Sequence, residues 1–137
     1  MNNSRSIKKA VKIAIVEDDK DIFTLWTDFL SRKGYRVINK FSDALSERKL
    51  FETETPDLII MDYKLPEDKN GIDIAIDILN KHPSASILFI TAHELIDNEI
   101  SKHPIFHNKR VQFLLKPVKL RQIEYTILDL LRVKIQA

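Results

Sequence analysis

Four short stretches of this 137-residue chain hold side chains whose types suit one chemistry. Glu17, Asp18 and Asp19 follow the apolar run "VKIAIV". Asp62 follows "LIIM", Thr91 and Ala92 close "SILFIT" and its successor, and Lys116 and Pro117 follow "VQFLL". A carboxylate against an apolar strand is costly to desolvate unless it is paired. Carboxylates held about 5 Å apart, at an effective dielectric of about 20, repel by roughly 3 kcal/mol per pair. One lysine cannot offset several such pairs, whereas a hard divalent cation can. Magnesium takes oxygen ligands and is bound by one or two carboxylates together with phosphate oxygens. An aspartate beside a metal, a hydroxyl and an ammonium is equipped to attack a phosphoryl group and form an acyl phosphate. The metal and Lys116 supply positive charge to the transferring oxygens, and Thr91 supplies a donor.

The elements that must bring these residues together alternate along the chain. Apolar runs at Val11 to Val16, Tyr35 to Asn39, Leu58 to Met61, Ser86 to Thr91 and Val111 to Leu115 have the length and continuity of parallel strands covered on both faces. The second is more polar and reads as an edge. Between them lie helical patterns. Ile22, Leu25, Trp26, Phe29 and Leu30 form an amphipathic stripe within Asp21 to Lys33, closed by Gly34. Ser42 caps a second helix through Leu50 and Phe51, stopped by Pro56. A third spans Ile72 to Leu79. A short fourth, Glu94 to Ser101, is cut off by Pro104, and a fifth runs through Ile123, Ile127, Leu130 and Leu131. Strand–helix alternation implies right-handed crossovers and an α/β architecture, a doubly wound five-stranded parallel sheet with helices on both faces. Ligands bind such sheets beyond the carboxyl ends of the strands, where all the acids, Thr91 and Lys116 fall.

With these elements in place, the chain resembles a receiver domain of the two-component response-regulator family. "IAIVEDD" is similar to the first strand with its acidic pair, and "PDLIIMDYKLP" to the segment that carries the phospho-accepting aspartate. "ILFITAH" resembles the strand ending in the switch threonine, and "FLLKPV" the last strand with its lysine and proline. The motifs stand in the family's order and cover Lys12 to Lys134. The resemblance implies a flavodoxin-like sheet of strand order 2-1-3-4-5. By position it makes Asp62 the phospho-acceptor, Glu17 and Asp18 the metal-holding pair, and Lys64 the donor of a backbone carbonyl to magnesium. Thr91 becomes the switch hydroxyl, Lys116 the phosphoryl-contacting lysine and Phe113 the switch aromatic. It further implies a cis bond between Lys116 and Pro117. The stretch "ISKHPIFHNKRVQ" departs from the family by lacking its small-residue and glycine pattern before the fifth strand.

The implied partners are a sensor histidine kinase or a histidine phosphotransfer protein. Downstream, a protein partner or a second copy of the chain would read the surface of the fourth helix, fifth strand and fifth helix. The expected organisation is a flexible basic arm over residues 1–10 and a receiver domain over 11–137, with no effector domain following. Such a protein is no enzyme beyond its own phosphorylation and dephosphorylation.

The remaining composition fits that reading. Lysine and arginine number 22 against 20 acids, a net charge of +2 that is too even to argue for nucleic acid by itself, and no direct nucleic-acid partner is expected. No cysteine is present, so thiolate chemistry and disulfides are excluded. No apolar run approaches a membrane span. The basic start breaks at Lys12 and ends in acids, unlike a signal peptide, and a cytoplasmic location is expected. Asp19 reads as a helix cap, Trp26 as core, and His82, His93, His103 and His107 as surface residues without metal spacing. Two alternatives stand beside the phosphorylation switch. One is a degenerate receiver that docks partners without phosphate. The other, a dehalogenase-like phosphatase, would want an acid two residues after Asp62, where this chain has Lys64.

Overall fold

The computed structural model describes residues 11–41, 54–62, 71–94, 96–107 and 110–136, the last five of these as backbone. The expected basic arm, the helix after Ser42, and Lys64 lie outside the described residues.

Strands β1 (Lys12–Val16), β2 (Arg36–Val37), β3 (Leu58–Met61), β4 (Ser86–Thr91) and β5 (Val111–Leu115) form one sheet in the order β2-β1-β3-β4-β5. Every pairing is parallel. The described helices are α1 (Lys20–Arg32), α2 (Gly71–Lys81), α3 (Ile96–Ser101) and α4 (Leu120–Gln136). A single 3-10 turn, Pro104–Phe106, follows α3.

Side chains alternate across a strand, and here the alternation divides the core in two. Ile13, Ile15, Leu58, Ile60, Leu88 and Ile90 face α1 and α4, meeting Phe23, Trp26, Leu30, Ile123 and Ile127. Ala14, Val16, Ile59, Met61, Ile87 and Phe89 face the other way, against Ile72, Ala75 and Ile78 of α2, Ile96 of α3 and Phe106. Because both faces are covered, the strands read in sequence as continuous apolar runs.

Helix α1 begins where Asp19 caps it, its carboxylate accepting from the backbone N–H groups of Asp21 and Ile22 at 2.9 and 3.1 Å. It ends before Gly34, whose φ of 97° is the left-handed geometry that glycine adopts without a side-chain clash. The expected apolar stripe needs one correction. Leu25 is 52% exposed and Phe23 is buried instead. Successive residues turn about 100° around a helix, so a face centred between Phe23 and Trp26 leaves Leu25 about 130° from its centre, outside the buried stripe.

The second strand also differs from expectation. Only Arg36 and Val37 pair with β1, rather than Tyr35 to Asn39. Ile38 N still donates to Ile13 O at 2.9 Å, and beyond it the Asn39 side chain takes over the ladder. Its Oδ1 accepts from Ile15 N at 2.9 Å, and its Nδ2 donates to Ile15 O at 2.8 Å. The fourth helix is as short as Pro104 implied, six residues in length.

Candidate functional site

The sheet register assembles the site. Val16 of β1 pairs with Met61 of β3, which pairs with Phe89 of β4. Glu17 and Asp62 are each one residue further on, and the Asp62 N–H donates to Val16 O at 3.2 Å. On the far side Thr91 pairs with Leu115, and the next N–H, that of Lys116, donates to Thr91 O at 2.8 Å. Four strand ends thus meet at one rim.

At that rim Lys116 Nζ lies 2.9 Å from Glu17 Oε1 and 3.1 Å from Asp62 Oδ2. The carboxylates of Glu17, Asp18 and Asp62 each place an oxygen within 4.8 Å of the others, with Glu17 and Asp62 buried and Asp18 exposed. Glu17 Oε2 also accepts from Asp19 N at 3.2 Å, which fixes its carboxylate plane. Three clustered carboxylate groups around one ammonium are a hard-oxygen donor set, the kind that suits magnesium. The Lys116–Pro117 peptide bond is cis.

The electrostatics follow from burial. Desolvation raises the Glu17 carboxyl above the usual carboxylate range, and the hydrogen bond from Lys116 opposes this without cancelling it. Desolvation also works to lower the Lys116 ammonium. Its bonds and charge contacts with Glu17 and Asp62 outweigh that effect and hold the ammonium above its ordinary value. Lys116 therefore carries its charge throughout the neutral range.

Thr91 is buried at the end of β4, and its Oγ1 accepts from His93 N at 3.2 Å. That bond uses an oxygen lone pair and leaves the hydroxyl proton free to donate elsewhere. Phe113 is half-buried on β5, beside Phe89 in register and against the α2 side of the core.

One contact was not legible from spacing alone. Trp26 is buried in the core as its helical position implies, but its ring also lies under Lys116, with Nζ 5.9 Å from the ring centroid. The signal is parity. Carried one residue past the strand ends, the alternation that points Ile15, Ile60 and Leu114 toward α1 and α4 points Glu17, Asp62 and Lys116 the same way. Trp26 is the α1 residue waiting there.

A five-stranded parallel sheet of this order, with acids, a hydroxyl and a lysine at its carboxyl rim, defines a receiver-type α/β domain. The model of the response regulator receiver domain family matches residues 13–128, and the chain belongs to that family. It is 33% identical over 121 residues to the alkaline phosphatase synthesis transcriptional regulatory protein PhoP of Bacillus subtilis, covering 88% of this chain and 48% of PhoP. It is 28% identical to the luminescence regulatory protein LuxO of Vibrio campbellii, covering 86% of this chain and 25% of LuxO. The chain thus spans half or less of the length of these relatives. Among solved structures, a CheY-like receiver domain protein from Methanospirillum hungatei superposes with a TM-score of 0.76 at 22% identity, covering 92% of this chain and 97% of that one. The signal receiver domain of a Luxo repressor protein from Vibrio parahaemolyticus gives 0.68 at 27% identity, with 92% and 94% covered. Among the described residues, no helix is long and apolar enough to cross a membrane.

Proposed function

We propose that this chain is a phosphorylation-controlled receiver that accepts a phosphoryl group on Asp62. The observation that carries the reading is the bridging of Glu17 and Asp62 by Lys116, with Asp18 in the same oxygen cluster. An Asp62 carboxylate oxygen forms the new bond to phosphorus while the bond to the donor's leaving group breaks, and the leaving group departs with the electron pair. Lys116 then has a phosphoryl oxygen to bond in addition to its carboxylates. The free Thr91 proton has an acceptor at the same rim. Magnesium would be held by Glu17, Asp18 and Asp62, with the Lys64 carbonyl as a further donor. When bound, it supplies positive charge to the transferring oxygens. Asp18, as the exposed member of the cluster, marks the side open to donor and metal.

The donor is a sensor histidine kinase or a histidine phosphotransfer protein. The output is read by a protein partner or a second copy of the chain on the surface formed by α3, β5 and α4. PhoP and LuxO are named as regulatory proteins, which agrees with a signalling role, and a cytoplasmic location is part of the same proposal. The chemistry is confined to the chain's own aspartate, so the protein is a switch and no enzyme toward other substrates.

The test is incubation with acetyl phosphate and magnesium followed by intact-mass measurement. A single added phosphate is expected on the wild type and none on Asp62→Asn. An Asp62→Asn variant that still gains the mass would overturn the assignment.

A further inference from the structure

We infer that Trp26 is a positioning residue for Lys116, its indole face holding the ammonium at the rim while the ammonium changes its anionic partners. The inference rests on the phosphoryl-transfer reading of the site and adds a residue on α1 to it.

Lys116 Nζ is held from three directions. Two are the carboxylates of Glu17 and Asp62 at 2.9 and 3.1 Å, and the third is the Trp26 ring at 5.9 Å. The carboxylate bonds are the ones that phosphoryl transfer disturbs. Metal binding would draw on the same two carboxylates, and the phosphoryl group would bring new acceptors. A lysine side chain has many rotamers to lose, and with its carboxylate bonds in exchange it needs an anchor that does not change. A third carboxylate would serve badly, since it would add repulsion toward an incoming phosphoryl dianion. An aromatic face attracts the cation through its quadrupole without adding net charge.

Trp26 can play this part because the core holds it. It is 4% exposed on α1, packed in the core shared by β1, β3 and α4. The lysine stem, in contrast, rises from a loop with its side chain 22% exposed. The rigid partner lies below and the adjustable one above.

The experiment compares the rate of phosphorylation by acetyl phosphate and magnesium in four full-length variants, at matched folded fractions. Trp26→Leu keeps the core apolar and removes the ring, and is expected to slow the reaction about five- to tenfold. Trp26→Phe restores a ring face and is expected to recover most of that loss. In a Lys116→Met background, Trp26→Leu is expected to slow the residual rate by less than about twofold, because the group it positions is gone. Equal slowing in both backgrounds would mark a core-packing effect and overturn the inference, as would an unslowed Trp26→Leu. The chain has one tryptophan, so fluorescence supplies an arm that survives misfolding of Trp26→Leu. Lys116→Met should change the emission of Trp26 in the metal-free wild-type background, and an unaltered spectrum would likewise overturn the inference. A wild type that takes up no phosphate would instead sink the phosphoryl-transfer reading, and the positioning role with it, while the emission change would still report the contact.

Discussion

Lys116 and Asp62 meet at 3.1 Å although neither belongs to a strand that pairs with the other's. β3 and β5 are separated by β4, and the lysine reaches across the end of that intervening strand. The same ammonium lies 2.9 Å from Glu17, one residue past β1. It therefore ties together the ends of strands that the sheet keeps apart, and its removal has consequences for folding as well as for chemistry.

Lys116→Met should destabilise the metal-free protein, because the Glu17 and Asp62 carboxylates lose the charge between them. Partial exposure of the lysine reduces the cost below that of a fully buried pair, and a loss of about 2 kcal/mol is expected. Magnesium should stabilise this variant more than it stabilises the wild type, since it replaces the missing positive charge. Urea unfolding with and without magnesium measures both effects. Equal magnesium stabilisation of the two proteins would show that the ion does not bind among these carboxylates.

Magnesium affinity should fall as the solution is acidified. Burial raises the Glu17 carboxyl, so the folded metal-free chain holds a proton there at a pH where an ordinary glutamate has lost it. That proton favours the metal-free fold at low pH, and the advantage disappears as pH rises through the raised value. The metal needs the carboxylate, so proton and metal compete. Calorimetry at about pH 5.5 and about pH 8 should show weaker binding at the lower value. The difference should shrink in Glu17→Gln. Asp18→Ala should weaken binding about tenfold at either pH.

Asn39→Leu should cost about 2 to 3 kcal/mol, because two buried backbone groups of Ile15 lose their partners while the branching and heavy-atom count of the side chain are kept. Ile15 lies two residues before Glu17, so the strand end that loosens is the one carrying the acidic pair. A urea midpoint close to that of the wild type would mean that backbone groups beyond Ile38 N can take over the ladder.

Alkaline stability should depend on Tyr35. Burial first, and then the negative charge of Glu124, push its hydroxyl far above the ordinary tyrosine value. The unfolded chain loses the phenolic proton first. The stability contributed by the buried phenol is thus complete below about pH 10 and drains above it by up to roughly 1.4 kcal/mol per pH unit. Tyr35→Phe should show a shallower decline between about pH 9.5 and 11. Parallel declines in the two proteins would place the alkaline transition elsewhere, among the lysines.

Phosphorylation should be felt beyond the rim through Thr91 and Phe113. A phosphoryl anion draws the Thr91 hydroxyl toward it and empties space behind β4. Half-buried Phe113, which carries no hydroxyl, is free to turn inward. A small differential contact of this kind biases an equilibrium already near balance. With beryllofluoride and magnesium, hydrogen exchange should change across residues 92 to 125, and Thr91→Ala should confine the change to the neighbourhood of Asp62. A wild-type change that is already so confined would place the switch surface elsewhere.

Most of the sheet and the composition of the rim could be read from the sequence because both depend on local signals. Apolar runs of strand length, helices punctuated by Gly34 and Pro104, and the acids, Thr91 and Lys116 at the run ends are visible one segment at a time. What failed was whatever depended on how one element is turned or shifted against another. Leu25 and Phe23 satisfy the same helical stripe, and only the docking of α1 on the sheet leaves Leu25 exposed. The five-residue apolar run at Tyr35 yields a two-residue β2, because Asn39 meets the polar groups of Ile15 with its side chain.

The chain by itself therefore determined which groups stand at the ends of the strands, since a strand's length and its terminal residues are written contiguously. Tertiary structure alone decided which of those groups touch. The contacts of Lys116 with Glu17, Asp62 and Trp26 join β5 to β1, β3 and α1. Their distances are fixed by strand register and by the rotation of α1, and these are set by how the whole core packs rather than by any one segment.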